Sequence, residues 1–105
     1  MKISELKFYT TPSFKNPETI VVKELSHNQI KFWAPIGGQK GLEVTLKQTG
    51  EDKELEGTYT ILSSGEKEKI IFTIYEKAST QEKTCYMGFP EGLFRSAWYI
   101  SLKEK

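Results

Sequence analysis

Few side chains in this sequence are of the types that carry out catalysis. There is one histidine, His27, one cysteine, Cys85, and one aspartate, Asp52. His27 directly follows Ser26, and a tight turn cannot bring such neighbours into the nucleophile–base hydrogen bond of a catalytic triad. One histidine and one cysteine also cannot supply the three protein ligands of a catalytic zinc site. The sequence therefore predicts neither a triad nor a zinc centre.

Two other spacings resemble catalytic patterns. Ser64 and Lys67 stand in the Ser-x-x-Lys order of penicillin-binding enzymes, but that chemistry needs a helix start, and "SSGEK" is typical of a hairpin turn. Glutamates also alternate along strands, as at Glu54 and Glu56, on faces that are usually solvated. We therefore expect no catalytic residue, no metal and no cofactor, and an enzyme based on glutamate remains the third alternative.

The segment "KFWAPIGGQKG" at 31–41 is dense in residues that recur in binding loops. A phosphate-binding P-loop needs a different glycine spacing and a following helix, whereas an alternating strand follows Gly41. Gly37 and Gly38 instead suit the positive φ of a hairpin loop. Trp33 falls on the outward, polar face of its strand and close to Lys40, so this corner is a candidate binding surface.

The residues that could position such a surface follow a period of two. "GLEVTLKQ" sets Leu42, Val44 and Leu46 against polar neighbours, and "NQIKFWAP" and "ELEGTYTIL" behave in the same way. Strict alternation indicates strands with one buried and one exposed face. The remaining strand candidates are rich in β-branched and aromatic residues; they are "LKFYT", "TIVVKEL", "KIIFTIYEK", "TCYMGF" and "FRSAWYISLK".

Short turns separate these segments, and only the first connection, at 11–18, is longer. Sequential strands joined by short turns pair as antiparallel neighbours. We therefore predict one all-β domain over residues 1–105, an antiparallel meander of about eight short strands closed as a small up-and-down β-barrel. A two-sheet β-sandwich is the alternative. We expect the large interior side chains to be Phe8, Phe32, Tyr59, Phe72 and Trp98.

The charge of the chain is balanced, with 15 basic and 14 acidic side chains. Nucleic-acid binding usually shows as a basic excess on one face, whereas lysine and glutamate alternate along this whole sequence. The longest strongly apolar run, at 70–75, is far too short to span a bilayer, and the N-terminal segment lacks the apolar run of a secretory signal. A single cysteine suits a reducing compartment. We expect a cytoplasmic protein with no nucleic-acid or membrane partner.

In strand number and order, the predicted barrel is similar in outline to the calycin group of lipocalins, fatty-acid-binding proteins and avidins. The lipocalin pattern has Gly-x-Trp on the first strand and a basic residue near the last. Arg95 in "LFRSAWYI" could fill the second role, and the first strand, "ISELKFYT", has no Gly-x-Trp. The resemblance implies a ligand-binding barrel.

Two function classes follow from these observations. The first is a non-catalytic protein-interaction module that binds its partner through exposed aromatic side chains and the glycine loop, with Trp33 and Tyr75 on that surface. The second is a barrel that binds a small hydrophobic or anionic ligand, with Lys40 and Arg95 as anion contacts and Trp98 in the interior. Tyr75 has a further alternative, in which the first loop covers its strand through Phe14.

Overall fold

All eight predicted strands are present. The structure is a computed structural model, and it describes residues 3–10, 13–26, 29–36, 38–48, 54–90 and 97–104. The only helical turn in these residues is a 3-10 turn at Glu76–Ala78, so the expected all-β class is confirmed. The strands are β1 (Ile3–Tyr9), β2 (Val21–Leu25), β3 (Gln29–Ala34), β4 (Leu42–Gln48), β5 (Glu54–Ile61), β6 (Lys67–Ile74), β7 (Lys83–Gly88) and β8 (Trp98–Glu104).

The strands form one antiparallel sheet in the order β1-β8-β7-β6-β5-β4-β3-β2. The chain runs as a meander from β2 to β8, and β1 pairs with the last strand. The sheet curls into a half-barrel in which β1 and β2 are the two edges. The predicted eight-stranded antiparallel meander and its barrel-like curl are therefore confirmed, and the single sheet speaks against the two-sheet sandwich; closure of the barrel is partial, because β1 and β2 remain separate edges of the described sheet.

The alternating residues point as the sequence predicts. Phe32 on β3 lies opposite Val44 on β4, which lies opposite Tyr59 on β5, and all three side chains are buried. Burying them removes a large apolar area from water, which is the main favourable term in folding. The inward side chains that form the core are Leu6, Phe8, Ile30, Phe32, Ala34, Leu42, Val44, Leu46, Leu55, Tyr59, Ile61, Ile70, Phe72, Tyr86, Trp98, Ile100 and Leu102.

Aromatic rings fill the centre of the barrel. The ring of Phe8 lies 5.2 Å from that of Phe32 and 5.5 Å from that of Trp98, and Tyr59 lies 5.0 Å from Trp98, measured between centroids. The tilted and edge-to-face angles are those that aromatic pairs prefer. Phe72 is buried in the same core, so the five expected interior side chains are confirmed.

Within the described residues, no helix is long and apolar enough to cross a membrane.

Candidate functional site

Trp33 is tied into the hairpin that joins β3 to β4. It faces outward, opposite Glu43 on β4 and Val21 on β2, as the alternation predicts. Its indole nitrogen donates a 2.9 Å hydrogen bond to the carbonyl oxygen of Lys40, and its side chain is half-buried. The expected proximity of Trp33 and Lys40 is therefore present, but it joins the indole to a backbone oxygen and not to the exposed ammonium group.

Gly41 explains how closely the indole and the loop approach each other. Its φ is +76°, a conformation that favours glycine. A Cβ atom at this position would lie 2.7 Å from the indole nitrogen of Trp33 and 2.5 Å from the carbonyl oxygen of Ala34. The loop can close over Trp33 only because residue 41 has no side chain. This corner is thus built as a packed turn.

Tyr75 belongs to an aromatic cluster on the outer face of the sheet. Phe14, from the first loop, lies 5.0 Å from Tyr9, 5.4 Å from Tyr99 and 6.1 Å from Tyr75, measured between ring centroids. Tyr75 is half-buried in this cluster. Tyr9 is buried in it as well, and the loss of contact with water raises the pKa of its hydroxyl group. Phe14 therefore packs on Tyr75 as the alternative expects, but the first loop does not cover the outer face of β6, where Ile71 is 48% exposed.

The predicted site residues do not converge. Trp98 is inside the barrel and 1% exposed, whereas Trp33 and Lys40 lie at the β3–β4 corner on the outside. Tyr75 follows β6 in the Phe14 cluster. Arg95 lies outside the described residues, as does His27. The described part of the chain has no group of three or more His, Cys, Asp or Glu that could hold a metal ion.

Exposed apolar side chains lie on the edge strand β2. The sequence predicted this segment as a strand but not as a binding surface. All five residues of β2 are exposed, and Val21, Val22 and Leu25 are 53%, 42% and 37% exposed. Val22 and Leu25 lie opposite the buried Phe32 and Ile30, so they are on the inner face of the sheet. The signal for this edge was the first connection, between β1 and β2, because a long connection does not require the two strands that it joins to pair with each other.

The two edges approach each other at one end. The backbone N–H of Glu18 donates a 2.7 Å hydrogen bond to the carbonyl oxygen of Phe8, and the Thr10 hydroxyl donates one of 2.9 Å to the Glu18 carboxylate. Ile20 packs against the core just beyond this point. Further along, β2 is at the edge of the sheet with Val22 and Leu25 uncovered. The barrel is therefore held together near Phe8 and open along β2.

The charged side chains of β2 already have partners in the chain. Lys23 forms a 2.8 Å ion pair with Glu43, and the Gln29 amide donates a 3.2 Å hydrogen bond to the Glu24 carboxylate. The hydrogen bond from Lys23 is the largest cause of a lowered pKa at Glu43. The groups of β2 that remain for a partner are therefore the backbone groups on its outer edge and its apolar side chains.

Comparison with protein-family models, curated proteins and solved structures finds no significant match for this chain.

Proposed function

We propose that this chain is a non-catalytic protein-interaction module, and that its partner adds an extended segment to the open edge of β2. The observation that carries the proposal is the exposure of Val21, Val22 and Leu25 on an edge strand. Edge strands present unpaired N–H and C=O groups, and proteins usually protect them because they pair readily with other chains. Peptide recognition by strand addition uses this property.

The side chains on β2 indicate what the partner segment must offer. Val22 and Leu25 point to the inner face beside Phe32 and Ile30, so a strand paired with β2 would cover them with its own inward residues. Lys23 and Glu24 are engaged within the chain. The matching segment is extended and carries apolar residues on one face. Backbone hydrogen bonds supply much of the affinity in this mode, and the apolar residues supply specificity.

The interior of the barrel is filled with side chains, which favours binding at the β2 edge over binding of a ligand inside the barrel. Phe8, Phe32, Phe72, Tyr59 and Trp98 occupy the centre and are at most 1% exposed. A ligand as large as a fatty acid would have to displace these rings, which would remove contacts that stabilise the fold.

Site-specific photo-crosslinking tests the proposal. A photo-reactive phenylalanine analogue is placed at Val22 in one variant and at Ile71 in the other, in the cells that produce the protein. Ile71 is a matched control, because it is an aliphatic residue that is 48% exposed on the central strand β6. We expect a defined crosslinked protein from position 22 and none from position 71.

A binding measurement with that crosslinked protein completes the test. Val22→Lys should raise its Kd by about tenfold or more, as expected for a central interface residue, and Ile71→Lys should leave it unchanged. Equal crosslinking at both positions, or a Kd that Val22→Lys does not alter, would contradict the proposal. Crosslinking to a second copy of this chain would replace the foreign partner with self-association.

A further inference from the structure

A polar groove crosses the outer face of the sheet, away from the inner side chains of β2. It has a volume of about 610 Å³, within the range of small-molecule sites. Strands β3, β4, β5 and β6 all contribute to it. The residues that line the groove are Gln29, Lys31, Thr45, Lys47, Glu56, Gly57, Thr58 and Lys67.

The shape of the groove follows from the lengths of its side chains. Thr45 and Thr58 lie directly opposite each other on β4 and β5, and both are short. Lys31 stands opposite Thr45 on one side, and Lys47 stands opposite Glu56 in the next row. Two threonines between longer side chains leave a depression with the two threonine side chains in its floor. Both hydroxyls can donate or accept hydrogen bonds.

The charge of the groove is positive. Its lining contributes three ammonium groups, from Lys31, Lys47 and Lys67, and one carboxylate, from Glu56. In the part of the chain that the structure describes, ion pairs join other residues, Lys7 to Glu5 and Lys23 to Glu43, so the three ammonium groups of the groove are not neutralised by contact.

Glu43 lies close enough to the groove to be affected by its charges. It stands on β4 beside the groove, and its pKa is lowered first by the hydrogen bond from Lys23 and further by the charges of Lys23, Lys31 and Lys67. Lys31 and Lys67 come from strands on opposite sides of β4 and β5. Both therefore stabilise negative charge near the groove, as they would stabilise the charge of a bound anion.

We propose that this groove is a binding site for a small molecule that carries a phosphate monoester group. The phosphate lies above Thr45 and Thr58, accepts hydrogen bonds from their hydroxyls and is surrounded by the ammonium groups of Lys31 and Lys67. Lysine binds phosphate as a compact point charge, and because Glu43 is paired with Lys23, the three lysines of the groove against Glu56 balance the roughly double negative charge of a monoester near neutral pH. The Glu56 carboxylate and the amide oxygen of Gln29, whose amide nitrogen donates to Glu24, remain for hydroxyl groups of the same molecule.

The arrangement of charges in the groove differs from that of a basic nucleic-acid surface. Its lysines come from three separate strands, and Glu56 and Glu43 stand among them. A stripe that neutralises successive phosphates of a nucleic acid would be basic along its length. The groove instead has room and charge for one anionic group.

An NMR titration of the whole chain with glycerol phosphate tests this site, with glycerol as the uncharged probe and inorganic phosphate as the smallest anion. We expect glycerol phosphate to shift the backbone amides of Lys31, Thr45 and Thr58, and glycerol to leave them in place. Inorganic phosphate should shift the same amides more weakly. Added salt should weaken both, because charge attraction supplies the binding.

Substitutions on the groove then separate a site from general attraction to lysines. Thr45→Val, which keeps the size of the side chain and removes the hydroxyl, and Lys31→Gln should each weaken glycerol phosphate binding by about fivefold or more. Lys103→Gln removes the same charge from an exposed position on β8 and should change binding by less than about twofold.

Three outcomes would overturn the proposal. They are equal losses from Lys31→Gln and Lys103→Gln, an absence of amide shifts at millimolar glycerol phosphate, and tighter binding of a single-stranded oligonucleotide that shifts the same amides. None of them depends on the β2 edge, so the two proposals fail separately.

Discussion

The indole nitrogen of Trp33 lies 2.9 Å from the backbone carbonyl oxygen of Lys40 and donates a hydrogen bond to it. This bond joins the end of β3 to the loop that precedes β4. With Gly41 packed against the ring, it makes Trp33 part of the hairpin structure. The arrangement changes what a substitution at Trp33 should do. If Trp33 were a freely exposed binding residue, its substitution would affect binding alone. Because Trp33 is packed in the hairpin, its substitution should affect stability.

We predict that Trp33→Ala lowers the free energy of unfolding by about 1–3 kcal/mol, less than for a fully buried tryptophan because the ring is half-buried. Trp33→Phe should lower it by about 1 kcal/mol, since it keeps most of the ring and loses the hydrogen bond. Urea unfolding measures both. If the Trp33→Ala variant were as stable as the parent chain, Trp33 would not be a packing residue, and the prediction that it is an exposed binding residue would stand.

The second prediction separates backbone strain from collision at two glycines. Gly41 and Gly65 have nearly the same φ, +76° and +77°, but a Cβ atom at Gly41 would collide with Trp33 and Ala34, whereas one at Gly65 would meet open space. Gly65→Ala should cost about 1–2 kcal/mol from the left-handed conformation alone. Gly41→Ala should cost at least about 1 kcal/mol more, because overpacking adds to the strain. Thermal unfolding of the two variants gives the difference, and equal losses would mean that the indole of Trp33 and the carbonyl group of Ala34 both move aside freely.

The third prediction concerns two adjacent residues of β6. Phe72 is fully buried among core side chains and Ile71, its neighbour, is 48% exposed on the other face. Phe72→Ala should lower the free energy of unfolding by about 3–5 kcal/mol through loss of burial and formation of a cavity. Ile71→Ala should cost less than about 1 kcal/mol. Comparable losses at the two positions would mean that β6 is shifted by one residue.

The alternation of apolar residues was sufficient to predict the inner faces of β3, β4 and β5, and β-branched and aromatic content predicted the other strands. Leu42, Val44 and Leu46 on β4 are all buried because each inward position of a central strand meets another strand on both sides. The same reasoning fails on β2, where the sequence shows an apolar strand but not that one side of it has no neighbour. Closure of a barrel depends on strand stagger and tilt, which single-strand patterns do not specify.

The candidate site was predicted less completely than the fold, for a related reason. Trp33 faces outward as the pattern indicates, yet a loop returns to accept its hydrogen bond. Tyr75 likewise is covered by Phe14, which comes from a distant part of the chain. Contacts made by loops have no periodic signal in the sequence. No pattern in the sequence indicated the lysine groove either, because Lys31, Lys47 and Lys67 line one groove only when strands β3 to β6 are aligned in the sheet.

The fourth prediction follows from the lowered pKa of Glu43, whose largest cause is the hydrogen bond from Lys23. A carboxyl whose pKa is lower in the folded chain than in the unfolded chain stabilises the fold above the unfolded pKa. That contribution is lost as pH falls through the folded pKa. The advantage of the parent chain over Glu43→Gln should therefore be about 0.2–1 kcal/mol near neutral pH, as for exposed ion pairs, and should disappear in acid. Urea unfolding across this range measures it, and Lys23→Met should show the same loss. An advantage that grows in acid would contradict the assignment.

The last prediction concerns the Phe14 cluster and the Cys85 thiol, which is buried on the same face of the sheet. Cys85 lies on β7 opposite Ser101, and both are buried although they point to the outer side of the sheet. Phe14 packs on Tyr9 and Tyr99 on that side and holds a φ of +55°, which is unfavourable for a residue with a side chain. The ring contacts must offset this strain, so removing the ring should release the loop.

We expect Phe14→Ala to raise the alkylation rate of Cys85 under native conditions by about tenfold or more, through local opening of the outer face. Phe89→Ala is the matched control, because its ring is 67% exposed. Thiol labelling followed by mass spectrometry gives the rates, and urea unfolding gives the global stability of each variant. A rate that rises only as much as the lost global stability requires would show that Cys85 is reached by complete unfolding. A rise beyond that amount identifies the first loop, anchored by Phe14, as a separately opening cover.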